Sequence, residues 1–134
     1  MRIATSILRW LYGLFYVYIG GSWFLYFFMG KPWSVPEKNE SAQRLVNAMS
    51  QSGIVDPLIA GTCLVGGLLL FVKRTAPLGI AILAPLVFGI FIFHVFLTGG
   101  WVWGGIHFSL LLLLAWRHRS AFRPLWSYGT TRDA

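Results

Sequence analysis

Residues 77–97 read PLGIAILAPLVFGIFIFHVFL, and this stretch decides the fold. Its only ionisable side chain is His94, and it is long enough to cross a hydrocarbon core of about 30 Å, which takes about 20 apolar residues. Pro77 suits the first turn of a helix. Pro85 lies midway, removes one backbone hydrogen bond and predicts a kink. The stretch is read as a membrane span over 77–98.

Similar runs lie on either side of it. Residues 7–29 form one, stopped by Gly30, Lys31 and Pro32. It is too long for the apolar segment of a signal peptide and no small-x-small cleavage site follows, so it is read as a membrane helix and not as a cleaved leader. Residues 57–72 form another, closed by Lys73 and Arg74. Residues 103–116 form the last, closed by Arg117, His118 and Arg119. Trp10, Trp101, Trp103, Trp116 and Trp126 fall near the proposed boundaries, where amphipathic rings prefer headgroup depth. The expected fold is all-α: residues 1–134 make a single domain, a four-helix transmembrane bundle with spans at 7–29, 57–72, 77–98 and 103–116.

The composition agrees. Of 134 residues, 57% are hydrophobic and only 11% charged, and the mean hydropathy is +0.68. A soluble domain this small needs many more charges to cover its surface. The net charge of +7 comes from cations clustered between apolar runs. That placement suits anionic lipid headgroups and argues against nucleic acid. Eight basic residues (Arg2, Arg9, Lys73, Arg74, Arg117, Arg119, Arg123 and Arg132) collect on one side of the expected bundle. Three (Lys31, Lys38 and Arg44) lie on the other, beside Glu37, Glu40 and Asp56. The positive-inside rule then puts both termini in the cytoplasm, as expected of a multi-pass protein of the bacterial inner membrane.

Between the first two runs, Ala42, Leu45, Val46 and Met49 fall on one helical face, opposite Gln43, Arg44, Asn47 and Gln51. Ser41 is the expected N-cap and Gly53 the expected stop. The reading is a short amphipathic helix on the outer interface, either an anchor or a lid over the bundle. Helix packing in lipid calls for small residues, expected at Thr62-x3-Gly66, Cys63-x3-Gly67, Gly20, Gly21, Gly79 and Gly89.

Ionisable residues within membrane segments are costly and point to function. His94 and His107 are each about 6.5 residues from the turn at 99–102, which places both about 10 Å below it at ~1.5 Å per residue. Cys63 and Thr62 enter the second run at a similar depth. Ser22, Trp23 and Tyr26 are assigned to the same level of the first. One outer-leaflet polar layer is therefore expected from His94, His107, Cys63, Thr62, Trp23 and Tyr26. Three uses compete for it. A neutral histidine can hydrogen-bond a quinone carbonyl and exchange protons near pH 7. The two histidines, alone or with Cys63, can ligate haem or a soft metal, which is the lesser reading. Each can also simply satisfy its hydrogen bonds and pack. Phosphate-binding loops, Cys-x-x-Cys, His-Glu-x-x-His and nucleophile elbows are absent from the sequence.

Residues 41–53 leading into 57–70, then 77–97, and finally 115–124 (AWRHRSAFRP) combine Pro, His and basic residues at spacings that resemble the DoxX family of small four-helix membrane proteins. The resemblance covers most of the chain. It implies a link to quinone or thiol electron transfer, because founding members are associated with a thiosulfate:quinone oxidoreductase and others with membrane thiol-redox complexes. His94 matches the family's third-span histidine. Cys63 stands where relatives often carry glutamate, and Gly89 where they often carry asparagine. Loss of that acid implies an accessory member that works with a membrane protein partner in the lipid bilayer and lacks independent catalytic activity. The rival expectation is a purely structural subunit of a larger complex.

Overall fold

The computed structural model describes residues 2–33 and 35–125. Trp126 and Arg132, read above as a boundary residue and an inner cation, lie outside the described residues. All regular structure among the described residues is helical. The elements are α1 (Arg2–Phe28), α2 (Glu40–Gln51), α3 (Val55–Phe71), α4 (Ala76–Phe93) with a π-helical turn at His94–Thr98, α5 (Trp101–Arg117), and a short α6 (Arg119–Phe122) leading into a 3-10 turn at Arg123–Leu125. Helix α1 packs on α3, α3 on α4 and α4 on α5, which returns to touch α1.

Two helical stretches are long and apolar enough to cross a membrane, Ile3–Phe28 and Ala76–Thr98. Helices α2 and α3 add a third if they are taken as one span bent by 88°. The expected spans at 57–72 and 103–116 correspond to α3 and α5, each 17 residues. At 1.5 Å per residue that is about 26 Å, short of a ~30 Å core. The third span is closer to expectation: α4 runs through Pro85 as one element.

Glycines set the α1–α3 contact. A Cβ on Gly13 would meet the Gly67 carbonyl oxygen at 2.9 Å, and a Cβ on Gly20 would meet that of Ala60 at 2.5 Å. Gly79 sits equally close to the Gly66 carbonyl, at 2.7 Å, and brings α4 onto α3. Backbones that approach this closely gain dispersion contacts, which drive helix association where no hydrophobic effect operates. Two residues expected to share this role do not: beside Gly21 and Gly89 the space is open. The Thr62 hydroxyl donates back to the Leu58 carbonyl at 2.8 Å.

The core is built from Tyr16, Cys63, Leu70, Leu83, Val87 and Leu114, all fully buried. The outer surface of the bundle is apolar as well, with Val65, Leu68, Leu78, Phe88, Ile106, Leu112 and Leu113 exposed. Helix α2 forms where its amphipathic face predicts, but its N-cap is Asn39 and not Ser41. The Asn39 side-chain oxygen accepts from the backbone N–H groups of Ser41 at 2.9 Å and Ala42 at 3.2 Å. An asparagine two residues earlier does the capping, which leaves Ser41 in the first turn. Gly53 stops the chain as expected, at φ +68°.

Candidate functional site

A cavity of about 550 Å³ opens between α1, α2, α3, α4 and α5. His94 and His107 both line it, as does Cys63, which is 1% exposed. The two imidazoles come from different helices across a close contact. A Cβ on Gly104 would lie 3.0 Å from the His94 Cβ, so glycine at 104 lets α5 approach α4 at this point.

The two rings are held differently. His94 Nδ1–H donates to the Ile90 carbonyl at 2.8 Å. Because a carbonyl only accepts, Nδ1 carries the hydrogen and Nε2 of the neutral ring keeps a free lone pair. The π-helical turn starts at this residue, and such turns are frequent at functional sites. His107 is buried and caged by aromatic rings. Trp103 stands edge-on at 4.6 Å between centroids, Phe15 at 4.8 Å, Tyr16 at 6.1 Å and Tyr12 at 6.3 Å. The Tyr12 hydroxyl donates to the His107 carbonyl at 3.0 Å. The Tyr16 hydroxyl lies 3.4 Å from His107 Nδ1, a long hydrogen bond.

On one side the cavity is roofed by α2. Leu45, Val46 and Met49 of its apolar face line the space below, so the helix covers this side of the cavity. Trp33 also lines the cavity, and its indole N–H donates to the Ser22 hydroxyl at 3.0 Å, which fastens the α1–α2 loop to α1. Glu37 and Asp56, both half-buried, line the same space. Asp56 accepts from the Ser50 hydroxyl at 2.7 Å, which ties the end of α2 to the start of α3. These two carboxylates favour neutral or cationic ligands over anions.

Of the six residues expected in one polar layer, the structure brings His94, His107 and Cys63 to the cavity. Thr62, Trp23 and Tyr26 do not line it. Trp23 stacks on Phe27 at 5.2 Å, and Tyr26 borders a separate hollow on the outside of α1. The glycine contacts explain the shift. Seven residues along α1, from Gly13 to Gly20, match seven back along α3, from Gly67 to Ala60. Gly67 sits between the Gly13 carbonyl and the Val17 N–H, and Gly20 between the Ala60 carbonyl and the Leu64 N–H, so Cys63 lies near the level of Ile19, and Trp23 and Tyr26 lie beyond it toward the end of α1. Sequence reasoning did not assign Phe15, Tyr16, Trp33, Glu37 or Asp56 to this layer. The i, i+3, i+4 spacing of Tyr12, Phe15 and Tyr16 was the available signal. Among the described residues no three His, Cys, Asp or Glu side chains form a group that could hold a metal ion. No family model, curated protein or solved structure matches this chain.

Proposed function

We propose that the protein is a four-span inner-membrane protein of DoxX type, with both termini cytoplasmic, whose outer cavity binds a quinone-type ligand and works with a membrane protein partner. The observation that carries this reading is the meeting of His94 and His107 in one cavity with aromatic walls. A flat, apolar ring fits such walls, and the imidazoles supply the polar contacts that orient it. The carboxylates at 37 and 56 disfavour an anion such as thiosulfate, so a neutral ligand is the better occupant.

Four spans are supported by the apolar exterior of α3 and α5. Their short length is met by local bilayer thinning and by Trp101, Trp103 and Trp116 at the ends of α5. The orientation is supported by the cations: Lys73, Arg74, Arg117 and Arg119 gather at one end, and the described carboxylates lie at the other.

Neutral His94 accepts an O–H of a quinol at Nε2, and when protonated it donates from Nε2 to a quinone carbonyl. Quinone reduction takes two electrons and two protons. With one cysteine the chain makes no internal disulfide. On this reading two partner thiols close to a disulfide and supply both electrons and both protons, and this chain binds the ring and passes protons through His94. The test is titration of the purified protein with a short-chain benzoquinone, read by quenching of tryptophan fluorescence near Trp103. Saturable binding is expected, weakened about tenfold or more in His94→Ala by loss of a hydrogen bond in an apolar site. Protein that neither retains nor binds quinone sinks the proposal.

An accessory, non-catalytic role is the second reading. Exposed Tyr18 and Leu25 flank Gly21 beside a hollow of about 450 Å³ on α1, shaped to accept a ridge of a neighbouring helix. On that reading a partner co-purifies unchanged with His94→Ala.

A further inference from the structure

At the end of the bundle opposite the histidine cavity, Arg9, Lys73, Arg117 and His118 converge on a hollow of about 470 Å³. Thr5, Ser6 and Ser120 add hydroxyl groups to its lining. The cations come from α1, the α3–α4 turn and the end of α5, so only the tertiary fold brings them together. Arg9 was read from sequence as an interfacial cation, yet it is just 7% exposed. Its guanidinium donates to the Phe71 carbonyl at 3.3 Å, an uncharged acceptor. The carboxylates of the described residues, Glu37, Glu40 and Asp56, all lie at the other end of the molecule, and Glu40 is already paired with Arg44. A guanidinium this deep, among further cations, is costly unless an anion offsets it. His118 Nδ1–H donates to the Leu114 carbonyl at 2.9 Å, so Nε2 can donate to an anion only when the ring is protonated.

The hollow has an apolar extension. Ser6 also lines a groove of about 400 Å³ formed with Ile3, Ile7, Trp10 and Leu11 along the outer face of α1. From residue 3 to residue 11 that groove runs about 12 Å along the helix. A cationic hollow that adjoins an apolar groove matches a molecule with an anionic head and a hydrocarbon tail.

We propose that the hollow and groove together form a specific site for an anionic glycerophospholipid, with its phosphate among Arg9, Lys73, Arg117 and His118 and one acyl chain along Ile3, Ile7 and Leu11. The recognised group is a phosphate ester anion. The groove favours the lipid over free phosphate, which has nothing to place there. Bound lipid then fills the space between the ends of α1, α3 and α5 and neutralises the buried guanidinium.

The full chain, purified in neutral detergent, is offered equal amounts of phosphatidylglycerol and phosphatidylcholine, and retained lipid is counted by native mass spectrometry. Phosphatidylglycerol is expected to be retained about tenfold or more over phosphatidylcholine, a ratio set by charge-assisted contacts that the zwitterion makes less well. Arg9→Gln should bring the ratio close to one. Because Arg9 is buried and its variant can fail to fold, the double variant Lys73→Gln/Arg117→Gln, at exposed positions, carries the same test and should lower the ratio severalfold. Excess inorganic phosphate should not displace the lipid. Equal retention of the two lipids overturns the proposal, as does a preference that survives the double variant. Displacement by phosphate alone assigns the hollow to a free anion and overturns the lipid site.

Discussion

Gly13 and Gly67 meet backbone to backbone: a Cβ on Gly13 would lie 2.9 Å from the Gly67 carbonyl oxygen, and one on Gly67 would lie 2.8 Å from that of Gly13. The pair works with Gly20 and Ala60 to fix the height of α1 against α3, and therefore which aromatic residues reach the cavity. Gly67→Val forces its side chain into backbone and not into a flexible neighbour. The expected loss is about 1–3 kcal/mol, in the range of overpacked cores, read as a lowered melting temperature in detergent. Gly21→Ala is the control, since the space there is open. It should be neutral or stabilising by up to about 1 kcal/mol, because alanine restricts the unfolded chain and favours helix.

Gly89 lines the histidine cavity, and a Cβ there meets nothing within 4 Å. Gly89→Leu should fill the space without disturbing the helix contacts. Quinone affinity is expected to fall about tenfold or more, while the melting temperature holds or rises. Unchanged affinity in a folded variant would mean that the ligand binds elsewhere.

Tyr12 and Tyr16 both support α5 at His107, by bonds of unequal quality. Tyr12→Phe removes a buried hydrogen bond of 3.0 Å to the His107 carbonyl and should cost about 1 kcal/mol in thermal unfolding. Tyr16→Phe removes the longer 3.4 Å contact to Nδ1 and should cost less. Its clearer effect should be on the ring itself, as a changed His107 nitrogen shift in NMR. Equal losses from both variants would contradict this ranking.

Helix α2 depends on its cap. Asn39 satisfies two otherwise unpaired N–H groups at the start of α2, and Asn39→Ala should destabilise that helix by about 1 kcal/mol. Amides of α2 should then exchange several times faster, with those of α3 and α4 unchanged, because α2 is a short helix on one side of the bundle. Faster exchange throughout the protein would show that α2 is part of the cooperative core and not a separable cover.

The all-helical character of the chain was legible in the sequence because apolar runs such as 77–97 are set by composition alone. Partition into an apolar medium depends on which residues are present, not on what they touch. The amphipathic α2 was legible for the same kind of reason: Leu45, Val46 and Met49 repeat at the helical period whatever lies beneath them. The two histidines could be found because an ionisable group in an apolar run stands out. Depth was not legible. It was judged from where each run starts, whereas the true register is set by close backbone contacts, Gly13 on Gly67 and Gly20 on Ala60, which depend on two distant helices at once. For that reason Tyr16 and Phe15 stand at His107 where Trp23 and Tyr26 were expected. The burial of Arg9 and its meeting with Lys73, Arg117 and His118 were also decided only by tertiary structure. Local sequence governs helix and hydropathy; the faces that meet follow from packing between segments far apart in the chain.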